Sequence, residues 1–257
     1  MNTELILLIA AAILVISVVL SKVSERIGIP TLLLFLGIGM LAGSDGPGGI
    51  YFDDARLAQS LATVALAYIL FAGGLETDFG SVRRTLKPGL SLATMGVLLT
   101  ALVTGVFVWQ VLGLSWMNSL LIGAIVSSTD AAAVFAVLRS KSVGLKEPLR
   151  PLLELESGSN DPMAVFMTVG LIELINNPER SFLVLIPLFV QQMALGLVLG
   201  YVMARLFIHL INRIALDYEG LYPVLSLGWV LFTYALTAWL GGSGFLAVYI
   251  SGLVLGN

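Results

Sequence analysis

Cysteine is absent from the 257-residue chain, histidine occurs once, and charged residues make up only 11% of the sequence. The lack of cysteine excludes disulfide frameworks, thiolate metal sites and cysteine nucleophiles. The single histidine, His209, has no second metal-ligating residue beside it in the sequence. The chain also contains no nucleotide-binding glycine loop and no plausible pair of nucleophile and base. We therefore expect that the protein is not an enzyme and carries no cofactor.

Most residues of the chain are apolar. Hydrophobic residues make up 58% of the chain, and the mean hydropathy of +1.00 is far from that of a soluble globular protein. A membrane-spanning helix needs about 20 mostly apolar residues. We therefore predict an all-α polytopic membrane protein with nine candidate spans, at about 3–21, 31–44, 57–75, 89–111, 117–138, 149–175, 182–211, 221–240 and 244–256. The first segment lacks a cleavage pattern, which favours a retained span over a signal peptide.

The basic residues are distributed unevenly between the predicted loops. Lys and Arg in short loops favour the cytoplasmic side of a membrane. Of the 13 Lys and Arg residues, all except Arg56 and Arg180 lie in the loops or helix ends that come after the first, third, fifth and seventh segments. We predict a multi-pass protein of the cell inner (plasma) membrane, with the N-terminus outside and residue 257 on the cytoplasmic side. The net charge of −3 gives no indication of a nucleic-acid partner.

Two stretches of the sequence resemble each other. "PTLLLFLGIGMLAG" (30–43) and "SGFLAVYISGLVLG" (243–256) align without gaps and lie in spans of opposite predicted direction. Inverted pairs of this kind build many secondary transporters, although two apolar helices that contain glycine can also align by chance. An inverted repeat predicts a first repeat at about 1–176, a linker span at 182–211 and the start of a second repeat at 221–257. The chain would then be the N-terminal part of a longer membrane domain.

Two aspartates lie deep within predicted spans. Asp130 precedes Arg139 by nine residues, about 13 Å along a helix, and Asp161 follows Arg150 by eleven residues, about 16 Å. Both depths are close to the middle of a hydrocarbon core of about 30 Å. A charged Asp there costs on the order of 3 kcal/mol, so such residues usually face a protein interior or a water-filled cavity. We expect the two carboxylates to meet in a water-accessible chamber; a buried pair satisfied by backbone donors is the alternative.

The residues around these aspartates offer oxygen ligands. Pro162 cannot donate a backbone hydrogen bond, so the carbonyl of Gly158 loses its helical partner, and Gly158 itself weakens the same turn. Ser157, Asn160 and Asp161 fall on one helical face. Three consecutive hydroxyls before Asp130 compete with the backbone, although unwinding is less clearly indicated there: Ser127, Ser128 and Thr129. Carboxylate, hydroxyl, amide and free carbonyl oxygens together predict a site for a monovalent cation.

Two motifs carry a resemblance to a known family. "STDAAAV" (128–134) and "LELESGSNDPMAV" (153–165) resemble the paired Thr-Asp and Asn-Asp motifs of the monovalent cation:proton antiporter superfamily. They are most similar to the NhaP-type Na⁺(K⁺)/H⁺ antiporters and their potassium/proton branch. The resemblance implies a homodimer in the lipid bilayer that exchanges K⁺ or Na⁺ for H⁺. It also implies about thirteen spans in two inverted repeats, of which about nine are present here, with two broken helices that cross at mid-membrane.

The same resemblance assigns roles to individual residues. Asp161 would bind the cation and the proton in turn, and Asp130 would share the monovalent cation. Thr129 and Ser157 would be further ligands. Asn160 stands where electrogenic relatives have Asp, which implies electroneutral, one-for-one exchange. Glu156 would form a structural ion pair with an arginine of the second repeat, beyond Asn257.

Some alternatives stay open. Ala72 occupies a position where several relatives carry an acidic residue, so the sequence does not decide between Na⁺ and K⁺. Glu76 and Asp78 are expected at the membrane interface, and Glu154 could either line a cytoplasmic funnel or turn toward Arg150. A cation channel or sensor would use the same ligands as an antiporter. A truncated fragment of the antiporter that does not transport is the third possibility.

Overall fold

The computed structural model describes residues 3–27, 31–141, 143–146, 148–214 and 216–257. Every regular element within these ranges is helical. The first of the two similar stretches begins at Pro30, and this residue lies outside the described residues, as do Gly28 and Ile29. The all-α fold class that the apolar composition predicts is therefore confirmed.

The helices follow the predicted apolar segments closely. Each segment coincides with one helix or with a run of consecutive helices: α1 (Thr3–Ile27), α2 (Thr31–Ala42), α3 (Ala55–Glu76), α4 (Phe79–Val82), α5 (Leu86–Ser91), α6 (Val97–Leu112), α7 (Trp116–Ile125), α8 (Ala131–Ser140), α9 (Leu149–Asn176), α10 (Leu185–Arg213), α11 (Leu221–Trp239) and α12 (Gly244–Leu255). A π-helical turn, Leu92–Gly96, joins α5 to α6, and a 3₁₀ turn, Phe182–Val184, precedes α10.

Four helical stretches within the described residues are long and apolar enough to cross a membrane: Ala55–Glu76, Leu86–Leu112, Phe182–Arg213 and Leu221–Trp239. Shorter apolar helices include α2, α7 and α12. These findings support an integral membrane protein. The count of nine spans and the inverted repeat stay predictions.

The chain forms two compact units. The first comprises Met1–Leu57 and Asp130–Lys146, and the second comprises Ala58–Thr129 and Glu147–Asn257. Within the first unit, α1 packs against α2 and α8. Within the second unit, α9 packs against α5, α7 and α12, while α10, α11 and α12 pack against one another. The second unit contains most of the residues that the sequence indicates as a site.

Close helix packing in the second unit depends on glycine. A Cβ atom added at Gly123 of α7 would lie 2.1 Å from the carbonyl oxygen of Ala101 in α6. A Cβ atom added at Gly252 of α12 would lie 2.2 Å from the carbonyl oxygen of Phe71 in α3. No real Cβ atom approaches a backbone oxygen so closely, so these two helix pairs are in direct backbone contact. Small residues permit this contact in membrane proteins, where helix association depends on close packing.

The sequence favours a helix break near Gly158, but the structure has the break in the fifth predicted span. The fifth predicted span is divided, since α7 ends at Ile125 and α8 begins at Ala131. In contrast, α9 continues through Pro162, so the expected loosening at Gly158 does not interrupt the helix. One proline removes one helical hydrogen bond, and Pro162 is buried within a packed helix. The 127–130 segment leaves the helical path, and two side chains of α9 bind the backbone carbonyl of Thr129 there.

Candidate functional site

The break in the fifth span begins with a side-chain cap. The hydroxyl of Ser127 donates to the carbonyl oxygen of Ala124 at 2.7 Å, and Ser127 is buried. The last turn of a helix has carbonyls without helical partners, and a serine that caps one of them favours termination. The chain then runs on in a non-helical conformation through Thr129.

The carbonyl of Thr129 is bound by the neighbouring helix. It accepts a hydrogen bond from Ser157 Oγ at 3.0 Å and another from Asn160 Nδ2 at 3.3 Å. A backbone carbonyl that leaves the helical hydrogen-bond pattern needs other partners, since an unsatisfied one is unfavourable by several kcal/mol in an apolar medium. Two side chains of α9 therefore stabilise the interrupted backbone.

The side chain of Asn160 is the centre of this network, and it is completely buried, with 0% exposure. Its Nδ2 donates to Thr129 Oγ1 at 2.6 Å and to Glu156 Oε1 at 3.0 Å. The hydroxyl of Thr129 in turn donates to both carboxylate oxygens of Glu156, at 2.9 and 3.0 Å. An amide nitrogen has two hydrogens and a hydroxyl has one, so every donor in this circuit has an acceptor.

The other side of Asn160 leads to Asp161. The hydroxyl of Ser128 lies 3.2 Å from Asn160 Oδ1, and it also donates to Asp161 Oδ1. Asp161 is half-buried, as is Ser128. The carboxylate that the motifs single out is therefore held beside the helix break, through a serine that belongs to the break itself.

The structure brings together most of the predicted site residues. Thr129, Glu156, Ser157, Asn160 and Asp161 all belong to the second unit and lie within one hydrogen-bonded cluster with Ser128. We call these six residues the 128–161 cluster. Carboxylate and hydroxyl oxygens suit a hard cation. Among the described residues there is no group of three or more His, Cys, Asp or Glu side chains that could hold a metal ion.

Asp130 belongs to the first unit and is half-buried. Its expected approach to Asp161 therefore stays a prediction.

Ser128 is the residue whose importance the sequence did not indicate. It is one of three adjacent hydroxyls, and nothing in the order Ser-Ser-Thr-Asp shows which of them reaches the carboxylate. The acidic residues outside the cluster have simpler surroundings. Glu76 and Asp78 are exposed, as expected for the interface. Glu154 accepts a hydrogen bond from Arg150 Nε at 2.9 Å, which agrees with the second of its two interpretations.

These features define a helical integral membrane protein with a polar cluster at an interrupted helix. The chain belongs to the family of the transmembrane sodium/hydrogen exchangers, whose family model matches residues 10–257. This membership confirms the resemblance that the two motifs carry.

Two antiporters are similar in sequence to nearly the whole of this chain. The K(+)/H(+) antiporter NhaP2 of Shewanella sp. (strain MR-4) is 50% identical over 252 residues, which cover 97% of this chain and 43% of that protein. The K(+)/H(+) antiporter NhaP of Alkalimonas amylolytica is 42% identical over 254 residues, which cover 99% and 44%. The chain thus spans less than half the length of these two relatives.

A solved structure shares the fold. The sodium proton antiporter MjNhaP1 from Methanocaldococcus jannaschii at pH 8 matches with a TM-score of 0.82 and 26% identity, over 99% of this chain and 62% of that one. All three similar proteins are named as transporters and none as an enzyme.

Proposed function

We propose that this chain serves the exchange of a monovalent cation, K⁺ or Na⁺, for H⁺ across the membrane, and that Asp161 binds the two in turn. The observation that carries the proposal is the placement of Asp161, half-buried beside an interrupted helix and hydrogen-bonded to Ser128. A carboxylate can hold either a proton or a cation. Competition for one group couples the two fluxes, because the site releases one species when it binds the other.

The ligands around Asp161 are proposed from the same cluster. The hydroxyl of Thr129 donates its hydrogen to Glu156 and accepts one from Asn160, so one lone pair remains for a cation. Ser157 lies on the same face of α9 as Asp161 and is a second candidate ligand. Asp130 follows Thr129 directly in the sequence, and we propose that it shares the bound cation.

One-for-one, electroneutral exchange is proposed from the identity of Asn160. Its amide donates to the Glu156 carboxylate, and an amide carries no exchangeable charge. Asp161 is then the one group of the Asn160–Asp161 pair that can release a proton. We propose that Glu156 has a structural role, as an acceptor for Asn160 and as the ion-pair partner of an arginine outside this chain.

The transported cation, the oligomeric state and the membrane topology are also proposals. The names of the two sequence relatives favour K⁺ as the cation, whereas the structural relative is named for sodium. We propose a homodimer in the cell inner membrane, with the N-terminus outside. Residues 1–176 would form the first repeat, 182–211 the linker span and 221–257 the start of the second repeat.

The proposal is tested with Asp161→Asn in the full-length protein, reconstituted into liposomes that contain a pH-sensitive dye. An amide is neutral and cannot exchange a proton for a cation, so we expect K⁺- and Na⁺-dependent proton movement to fall to the level of empty liposomes. Asp217→Asn is the matched control, because Asp217 is exposed in the loop after α10 and should exchange at the unaltered rate.

Two results would contradict the proposal. Exchange by Asp161→Asn at the rate of the control would remove Asp161 from the site. Exchange whose rate follows an imposed membrane potential would contradict electroneutrality, even if Asp161 is essential.

A further inference from the structure

Gly158 does not interrupt α9, and the structure shows a different reason for a glycine at this position. A Cβ atom added at Gly158 would lie 2.6 Å from Cε2, 2.9 Å from Cζ and 3.1 Å from Oη of Tyr249 in α12. Any side chain at this position would therefore displace the tyrosine. The glycine allows the phenol ring of Tyr249 to lie directly on the backbone of α9, three residues before Asp161.

The backbone of Tyr249 is held just as closely by α3. A Cβ atom added at Gly74 of α3 would lie 2.3 Å from the carbonyl oxygen of Tyr249. At the ends of the same two helices, the side chain of Asn257 donates to the carbonyl of Thr77 at 2.9 Å and accepts from the amide of Phe79 at 2.8 Å. Backbone contact and these two hydrogen bonds together place Tyr249 against α9.

The hydroxyl of Tyr249 is buried without a hydrogen bond. The residue is 2% exposed, and its Oη has no hydrogen-bond partner of acceptable geometry in the part of the chain that the structure describes. The hydroxyls of Thr77 and Ser159 lie close to it. Thr77 is also buried, and it donates its only hydrogen to the carbonyl of Gly73 at 2.7 Å. Thr77 therefore offers an oxygen lone pair toward Tyr249, and an ion bound there would satisfy the unpaired hydroxyl.

The surroundings of these hydroxyls favour a positive charge. Thr77 directly follows the last residue of α3, and the C-terminal end of a helix carries a partial negative charge. The carboxylate of Glu154 also acts on the hydroxyl of Tyr249. The basic residues of α3 and of the elements that pack against α9, together with that of α9 itself, are exposed: Arg56, Arg83, Arg84, Lys87 and Arg150.

We propose that the hydroxyls of Tyr249, Thr77 and Ser159 form a second, weaker binding site for the transported monovalent cation, about one helical turn from Asp161. The inference rests on the proposed function for the identity of the ion, which is the K⁺ or Na⁺ that is exchanged. Hydroxyl oxygens are hard ligands that can replace part of the water shell of such an ion. The site binds more weakly than Asp161 because none of its three ligands is charged, and weak binding allows the ion to leave again.

The test is the change in Tm that K⁺ produces in the purified full-length protein in detergent, compared with the same concentration of the much larger cation N-methyl-D-glucamine. It is made with Asp161→Asn, so that binding at Asp161 does not contribute. An ion that binds only the folded state raises Tm. A site that is half-filled at about 0.1 M K⁺ would raise Tm by about 1 to 2 °C at about 0.5 M K⁺.

Tyr249→Phe, added to Asp161→Asn, removes one of the three ligands. It should weaken K⁺ binding about tenfold and so remove most of the shift. In N-methyl-D-glucamine its Tm should be unchanged or higher, because the hydroxyl that is removed has no partner among the described residues. Tyr68→Phe in the same background is the matched control. Its hydroxyl donates to the carbonyl of Leu227 at 3.3 Å, so the K⁺-dependent shift should be retained.

Three results would overturn the inference. The first is an Asp161→Asn protein whose Tm does not respond to K⁺. The second is a K⁺-dependent shift that survives Tyr249→Phe. The third is a Tyr249→Phe protein with a lower Tm in N-methyl-D-glucamine, which would show that the hydroxyl has a structural role. If Tyr249→Phe does not accumulate, Ser159→Ala replaces it, removes another of the three hydroxyls and should also abolish most of the shift.

These outcomes are independent of the test of the proposed function. Loss of the second site leaves the proposed function intact if Asp161→Asn does not exchange cations for protons. If Asp161→Asn does exchange them, the proposed function fails, whereas a K⁺-dependent shift that Tyr249→Phe removes would still establish the site.

Discussion

Asn160 should contribute more to stability than any other polar side chain of the 128–161 cluster. It is completely buried and joins α9 to the interrupted span through Ser128 and Thr129. We predict that Asn160→Ala destabilises the folded protein markedly. The effect can be measured by thermal unfolding of the purified full-length protein in detergent, with tryptophan fluorescence as the signal.

The magnitude follows from the hydrogen bonds that are lost. The amide can make two donor bonds at a time, to Thr129 and Glu156, and accepts one from Ser128. Interhelical hydrogen bonds in membrane proteins contribute about 0.6 kcal/mol on average and at most about 1.7 kcal/mol. Three such bonds therefore amount to about 2 to 5 kcal/mol. Because Thr129 is exposed and can be rehydrated, we expect a value near the lower end, about 2 to 3 kcal/mol.

The corresponding decrease in Tm is about 2 to 6 °C, because the shift per kcal/mol becomes smaller as a protein becomes longer. Asn118→Ala is the matched control, because Asn118 is exposed on α7 and should change Tm little. Asn160→Leu keeps most of the volume but loses the amide, so it separates packing from hydrogen bonding. If Asn160→Leu were as stable as the unaltered protein, the amide network would not be what holds the interrupted span against α9.

Two further substitutions test the packing and the surface. Gly123→Ala should lower the free energy of unfolding by about 1 to 3 kcal/mol, because its methyl group would meet the backbone of Ala101. Gly228→Ala, in open space on α11, is its control and should be neutral or stabilising in the same denaturation assay. Glu173→Gln should change the unfolding free energy by less than about 1 kcal/mol, because its bond to Arg180 is solvent-exposed. A larger loss would show that this pair is part of a wider network.

The sequence predicts the helices well because their signal is local. Runs of about 20 apolar residues mark spans whatever their neighbours are, and the structure places helices on all of them. The pairing of the two motifs was likewise predictable, since the family resemblance joins Thr129 to Asp161. The sequence therefore predicts which residues cluster around Asn160, although it does not predict their individual contacts.

The position of the helix break could not be predicted, because it depends on partners that are distant in the sequence. Pro162 carries the strongest local signal for an interruption, yet α9 is continuous around it. Nothing in "AIVSSTDAAAV" shows that Ser157 and Asn160, about thirty residues later, will bind the carbonyl of Thr129. Tertiary donors decide where this backbone can leave the helix.

The same dependence links the fold of the cluster to its proposed chemistry. Asn160 holds the carbonyl and the hydroxyl of Thr129, and it also fixes the oxygen that faces Ser128. A change that loosens the break would therefore also change the hydrogen bonding of Asp161, even though Asp161 itself is untouched. Substitutions at Asn160 should for this reason lower stability and slow exchange together, whereas substitutions at Ser128 should cost less stability. This difference follows from burial, since Asn160 is inaccessible to water while Ser128 is half-buried and its neighbours can be hydrated.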